Sequence, residues 1–167
     1  MEALWRVTEG LLFQSWIPGS AWRTWVLRWF GAEVGEGVVI KPHVKIKFPW
    51  KLSIGDNSWI GERVWLDNLD KVTIGNDCCL SQGAYLCTGN HRWDQGAFDL
   101  VTGPIVINDH CWIGAMSKIS PGVICGEGAV LAMGSLASSN LEQWHVHGGI
   151  PAKVIKVRPV TKNTADD

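Results

Sequence analysis

INDHCW-IGAMSK-ISPGVI-CGEGAV-LAMGSL, residues 107–136 written six at a time, places an apolar residue at the head of every block: Ile107, Ile113, Ile119, Cys125 and Leu131. A period of six matches neither the helical repeat nor the simple alternation of a strand. It matches a parallel β-helix, in which each side of a coil is one short strand and its leading residue points into a narrow shaft.

The same beat runs outward from this stretch through Val34-Gly35, Ile54-Gly55, Ile60-Gly61 and Ile74-Gly75. The fourth residue after each head is small or branched, as at Val38, Val44, Ser58, Val64, Cys78, Ala84, Cys111, Ser117, Val123, Ala129 and Ser135. Coils start at Val34, Ile54 and Ile74, evenly spaced by three hexapeptides plus a dipeptide, the additions falling near Leu52-Ser53 and Val72-Thr73. Later coils start at Ile107 and Cys125, three hexapeptides apart with nothing added. The interval from Ile74 to Ile107 exceeds such a coil by two and a half hexapeptides. The surplus lies in Cys87 to Pro104, CTGNHRWDQGAFDLVTGP, an inserted loop; loops of this length in a compact fold are usually functional. After Leu141 the beat fades.

These divisions give an N-terminal helical segment over 1–30, a β-helix domain over 31–158 and a polar tail over 159–167, disordered from about Asn163. The length of 167 residues suits one such domain. Residues 1–30 hold five of the 11 tryptophans, and Trp22, Trp25, Val26 and Trp29 fall on one stripe of a helix that leaves Arg23 and Arg28 off it and ends at Gly31. Two roles suit this segment. As a cap it covers the open strand edges of the first coil; as an amphipathic anchor it rests on a membrane face. The few basic residues favour the cap.

A net charge of −1 gives no electrostatic case for nucleic acid. No run of apolar residues is long enough to span a bilayer, so a membrane span is not expected, and the N-terminus does not read as a signal peptide. Among the five cysteines there is no zinc-type spacing. Cys78, Cys111 and Cys125 fall on inward beats as buried thiols of a reducing compartment, and Cys87 is the accessible one. The five histidines lack paired metal spacing, so no metal is expected. The P-loop, dinucleotide and nucleophile-elbow motifs are missing too.

His91 opens the inserted loop, where an imidazole could take a proton from an attacking hydroxyl. Trp93 and Trp112 are candidate walls of a ligand slot, Trp112 pointing out of the shaft because it precedes the inward Ile113. Asp94 and Asp99 read as ordinary loop carboxylates, and Lys153, Lys156 and Arg158 as a basic edge that would also suit phosphates.

Four segments carry a family resemblance: WVLRWFGAEVGEGVVIKPHVKIKFPWKLSIGD, LCTGNH opening the loop, GPIVINDHCWIGA closing it, and GGIPAKVIK near the end. Over Trp22 to Arg158 the chain resembles the hexapeptide-repeat O-acetyltransferases of the maltose, galactoside and nodulation type, and most of all those of colanic acid and other exopolysaccharide biosynthesis. The resemblance implies an all-β, left-handed parallel β-helix. It implies a homotrimer with acetyl-coenzyme A between neighbouring coils of different subunits, a saccharide acceptor, free or lipid-linked, and action in the cytoplasm or at the inner face of the membrane.

On the same resemblance, His91 matches the general base and the N–H of Ala115 the oxyanion donor, with Trp112 and Gly114 beside the reacting centre. Met133 and Gly134 match positions along the pantetheine arm, and Lys153 and Lys156 basic residues near the nucleotide phosphates. Ser138-Ser139 replaces the family's frequent Thr-Lys, and Gly149-Ile150-Pro151 its Gly-Asn-Pro. Asp67 and Asn68 fall where acceptor hydroxyls are bound, with Trp93 on the same side. The competing reading is a non-catalytic β-helix that serves as a scaffold or binding module.

Overall fold

The computed structural model describes residues 1–159, so most of the polar tail lies outside the described residues. Three parallel sheets form the sides of a triangular prism. The first stacks Glu33–Val34, Leu52–Ile54, Val72–Ile74, Ile105–Ile107 and Ile124–Cys125. The second stacks Val39–Ile40, Trp59–Ile60, Cys79–Leu80, Trp112–Ile113, Val130–Leu131 and His145–Gly149, and the third Lys45–Ile46, Trp65–Asp67, Tyr85–Cys87, Lys118–Ile119 and Leu136–Ala137.

The five coil starts read from the sequence stand in one column, in the register Val34, Ile54, Ile74, Ile107, Cys125. Parallel strands without intervening helices hold together here because each heading side chain enters the shaft. Burial of one such aliphatic is worth about 1.5–3 kcal/mol. All eleven fourth-position residues from Val38 to Ser135 are buried as well, because a coil this narrow leaves room at its corners only for small or branched side chains. The longer, early coils extend the strands of the first side: Leu52 and Ile54 both point inward, as do Val72 and Ile74. The beat does not fade at Leu141, which bridges Cys125; His145–Gly149 continues the second side before Ala152–Val157 folds back antiparallel onto it.

The inserted stretch is not an unstructured loop. Gly89–His91 and Leu100–Thr102 pair as an antiparallel hairpin that leaves the third corner of the prism, between the third and first sides.

At the N-terminus, helix α1 spans Glu2–Thr8 and continues as a wider π-helical turn over Glu9–Phe13; helix α2 spans Ala21–Trp29. Together they satisfy the exposed edge of the first coil on all three sides. On the first side Arg28 Nε donates to Val34 O (2.9 Å) and its Nη2 to Gly35 O (2.8 Å). On the second, Ser20 Oγ donates to Ile40 O and accepts from Ile40 N–H. On the third, Trp5 Nε1 donates to Ile46 O (2.7 Å) and Glu9 Oε1 accepts from Ile46 N–H (2.8 Å). Side-chain groups thus take the places a further strand would fill, which is how an edge is closed against unwanted pairing.

The expected stripe of α2 holds only in part: Val26 packs against the core and Trp22 meets Phe13 edge-on, but the other two members face outward. Trp25 and Trp29 are 65% and 66% exposed, whereas Arg23, Thr24 and Leu27 are buried. Hydrogen bonding decides this: the Arg23 guanidinium donates to four carbonyls, Phe13 O, Ser15 O, Ile17 O and Gly19 O, at 2.6–3.2 Å, and lies over the Trp22 ring. Those carbonyls follow the end of the π turn, where no helical donor reaches them.

Burial pushes the Glu9 carboxyl above its ordinary value, against the opposing pull of the Ile46 N–H, Arg6 and Lys45. In the raised-pKa window the folded chain holds more protons than the unfolded one, so this contribution to stability falls as pH rises from the ordinary glutamate range upward. Glu9→Gln keeps an oxygen acceptor for Ile46 and removes the titration. Melting temperatures of the two proteins between about pH 4 and pH 7 should show the parent losing ground to Glu9→Gln as pH increases.

Candidate active site

Counting sides around a coil locates every candidate. Ile113 belongs to the second side and Ile119 to the third, so Gly114 and Ala115 sit at the second corner. Met133 and Gly134 lie on the same corner one coil further, and Gly134 N–H donates to Ala115 O (2.8 Å). Gly114 has to be glycine: a Cβ there would stand 2.6 Å from both Leu131 O and Met133 N. This contact keeps the two pairs stacked. A residue with left-handed backbone follows at each level of the corner, His43, Arg63, Gly83, Met116 and Gly134, and turns the chain from the second side to the third.

Trp112 stands on the outer face of the second side, half exposed, and its Nε1 donates to Ser81 Oγ in the coil below (2.9 Å). This bond fixes the indole against the corner, and no motif in the sequence marks Ser81 for it. The N–H of Ala115 has no hydrogen-bond partner among the described residues, a property shared with Glu62 and Gln82 beneath it. At the first corner, by contrast, the corresponding N–H groups of Glu36, Asp56 and Asn76 are each taken by a side-chain oxygen of the next coil, from Asp56, Asn76 and Asp109. The second corner therefore presents a column of free donors, and an indole precedes two of them by three residues, Trp59 before Glu62 and Trp112 before Ala115, the latter held to Ser81 in the coil below.

His91 is on the hairpin at the third corner and is exposed. Its Nδ1 lies 2.7 Å from Phe98 O. A carbonyl only accepts, so Nδ1 carries the proton and Nε2 presents a lone pair, the tautomer a general base requires. The same bond can hold the charge of the imidazolium formed when Nε2 is protonated. Trp93, 80% exposed, stands near the hairpin tip. Ser138 and Ser139 share the third corner and are exposed, and Lys153 and Lys156 are exposed on the last strand. Arg158 is committed elsewhere: its Nη1 donates to His110 O and Gly128 O, and it packs over Trp144.

The structure thus divides the candidates between two corners of one chain. His91, Trp93, Ser138 and Ser139 belong to the third; Gly114, Ala115, Met133 and Gly134, with Trp112 alongside, belong to the second. The whole width of the third side separates them, about six residues or roughly 20 Å of strand.

Asn68 requires a correction. It is fully buried, and its amide accepts from Phe48 N–H (3.0 Å) and donates to Phe48 O (2.7 Å), joining successive coils in place of a backbone ladder. It has nothing left to offer an acceptor. Asp67 remains at the surface of the third side, in an ion pair with Lys47 (2.9 Å) and accepting from the Tyr85 hydroxyl (3.1 Å). Burial, together with Cys87 and this carboxylate, pushes the Tyr85 phenol above its ordinary value and keeps it a donor.

All five cysteines are free; Cys78, Cys111 and Cys125 line the shaft, and burial pushes the Cys125 thiol up to about 12. Cys79 and Cys87 are both half-buried, so Cys87 does not stand apart in exposure. Among the described residues no three His, Cys, Asp or Glu side chains come together as a metal site, and no helix is long and apolar enough to cross a membrane.

Residues 51–87 and 104–136 match the family model described as the hexapeptide repeat of succinyl-transferase. Over 161 residues the chain is 40% identical to the provisionally named colanic acid biosynthesis acetyltransferase WcaF of Escherichia coli K12, covering 95% of this chain and 88% of that one. It is 28% identical over 128 residues to the galactoside O-acetyltransferase of the same organism, covering 75% and 63% of the two chains. The hexapeptide-repeat acetyltransferase VCA0836 of Vibrio cholerae, solved with acetyl-coenzyme A, superposes with a TM-score of 0.84 over 95% of this chain and 89% of that one; at 24% identity this is a likeness of fold. The prism is a left-handed parallel β-helix of the acyltransferase class. Within that class, the chain belongs to the hexapeptide-repeat acetyltransferase family.

Proposed function

We propose that this protein transfers the acetyl group of acetyl-coenzyme A directly to a hydroxyl of a saccharide destined for a surface polysaccharide, working as a homotrimer on the cytoplasmic side of the membrane. The imidazole geometry carries the proposal: a lone pair on Nε2 of His91, oriented from behind by Phe98 O, in a chain 40% identical to an acetyltransferase of colanic acid biosynthesis.

Nε2 of His91 removes the acceptor hydroxyl proton as the oxygen attacks the thioester carbonyl. The N–H of Ala115 receives the charge that develops on the carbonyl oxygen. The tetrahedral species then collapses, the acetyl ester forms, and the departing thiolate takes the proton held by His91. No acyl-enzyme is required, since the base and the oxyanion donor act directly on the two substrates. Holding the two substrates together supplies most of the acceleration, with the base and the oxyanion donor each adding a smaller factor.

The division between two corners supports a site shared by neighbouring chains. The second corner of one subunit supplies Trp112, Gly114, Ala115, Met133 and Gly134; the third corner of the next supplies His91, Trp93, Ser138 and Ser139. A coenzyme lying along this seam touches both, and Lys153 and Lys156 meet its phosphates. Asp67 and Trp93 serve the acceptor, free or lipid-linked. A scaffold role would need none of these groups. Isothermal titration with coenzyme A, followed by thiol release from acetyl-coenzyme A on adding candidate saccharides, tests the proposal: binding and acceptor-dependent release support it, and the absence of coenzyme binding rejects it.

A further inference from the structure

A cap and a membrane anchor are compatible in one segment, because the first helix has two apolar sides and one role leaves the other free. Trp5, Glu9 and Phe13, spaced at successive helical turns, face the first coil; Trp5 and Phe13 are fully buried. Leu4, Val7 and Leu11 occupy the opposite side at the spacing of a helical stripe, and with Leu12, Trp16 and Ile17 each is at least half exposed. Capping needs only the inner side. Large apolar side chains held in water in such a group, all between Leu4 and Ile17, require a cover.

Charge indicates which cover. Residues 1–51 carry seven of the 15 Lys and Arg against four of the 16 Asp and Glu, an excess of three positive charges; the remaining residues carry eight against twelve. The positive end is the capped end, since Lys41, Lys45, Lys47 and Lys51 all belong to the first coil. Lys47 is paired with Asp67 and Lys51 with Leu69 O, but Lys41 lies beside Trp16 and Lys45 beside Arg6 and Gln14. Apolar and aromatic side chains with such cations, on a chain that is otherwise acidic, complement an anionic bilayer surface, where the former enter the headgroup boundary and the latter meet lipid phosphates.

We propose that the outer side of α1, with Trp16, docks the protein peripherally on anionic phospholipid while the inner side caps the β-helix. This inference does not rest on acetyl transfer, because binding is read without substrates. The test is flotation of the full chain with vesicles of phosphatidylglycerol and phosphatidylethanolamine, and with vesicles of phosphatidylcholine alone. The expected result is co-flotation with the anionic vesicles, weaker on phosphatidylcholine and weakened by salt. A Leu4→Ser, Val7→Ser, Leu11→Ser triple variant should retain the parent's circular dichroism melt and partition ~10-fold less. A parent that stays at the bottom of the gradient, or a folded triple variant that floats as well as the parent, overturns the proposal. So does a drop in the triple variant's molar mass by light scattering, which would make this face a contact between copies.

Discussion

Replacing His91 by alanine is expected to lower acetyl transfer by ~10²-fold or more while coenzyme A binding stays near that of the parent. The hairpin strands are paired through three residues on each side, and the imidazole is exposed with one bond, to Phe98 O. Its removal therefore takes away a base without opening the core. His91→Asn is the informative companion. An amide nitrogen can still donate to Phe98 O, yet no atom of that side chain can take a proton near neutrality, so the geometry survives and the rate does not. Steady-state thiol release, with isothermal titration for the coenzyme, separates a loss in kcat from a loss in binding. Near-parental turnover by His91→Ala would remove the imidazole from the mechanism.

Replacing Arg23 by alanine should produce the largest loss of stability from a single change outside the shaft, about 2–4 kcal/mol. The side chain is 1% exposed and donates to four carbonyls between Phe13 and Gly19, tying the segment that joins the π turn to α2. Without the guanidinium those oxygens stay desolvated and unpaired, each a cost in its own right. Lysine cannot substitute, because one ammonium does not reach four acceptors spread around a planar fork. Denaturant melts of Arg23→Ala and Arg23→Lys should both fall well below the parent. A parental midpoint for Arg23→Lys would mean that charge, not the fork, holds the segment.

The shaft was legible because each inward position is decided locally: the heading residue of a hexapeptide has nowhere to go but in. That reasoning placed Val34, Ile54, Ile74, Ile107 and Cys125 in one column, where the pairing has them. It failed at Trp25, Trp29 and Arg23 of α2 for a physical reason. Hydropathy ranks tryptophan above arginine for burial, but a guanidinium facing several orphaned carbonyls outweighs that ranking. Asn68 misled in the same way, since a buried amide can replace a strand ladder between coils and no composition rule separates it from a surface amide.

The split of the site between corners, on the other hand, could have been counted from the beat. Two beats separate Ile74 from Leu86, so the hairpin leaves after the third side; one beat separates Ile107 from Ile113, so Ala115 follows the second. The sequence also hid the hairpin pairing of Gly89–His91 with Leu100–Thr102, because a short, exposed two-stranded element lacks the alternation that marks a half-buried strand.

Whether one active site is built from two chains is tested most directly by crossing two inactive subunits. Ala115→Pro deletes the N–H proposed to meet the oxyanion, at a corner position that the fold already fills with proline, Pro42, in the first coil, and should cost ~10²-fold or more by itself. His91→Ala and Ala115→Pro proteins are unfolded together in equal amounts, refolded, and assayed for thiol release from acetyl-coenzyme A. If His91 of one chain serves Ala115 of its neighbour, random mixing in a ring leaves about a quarter of the sites with both groups intact, and about a quarter of parental activity returns. A mixture no more active than its two parents would contradict the shared site.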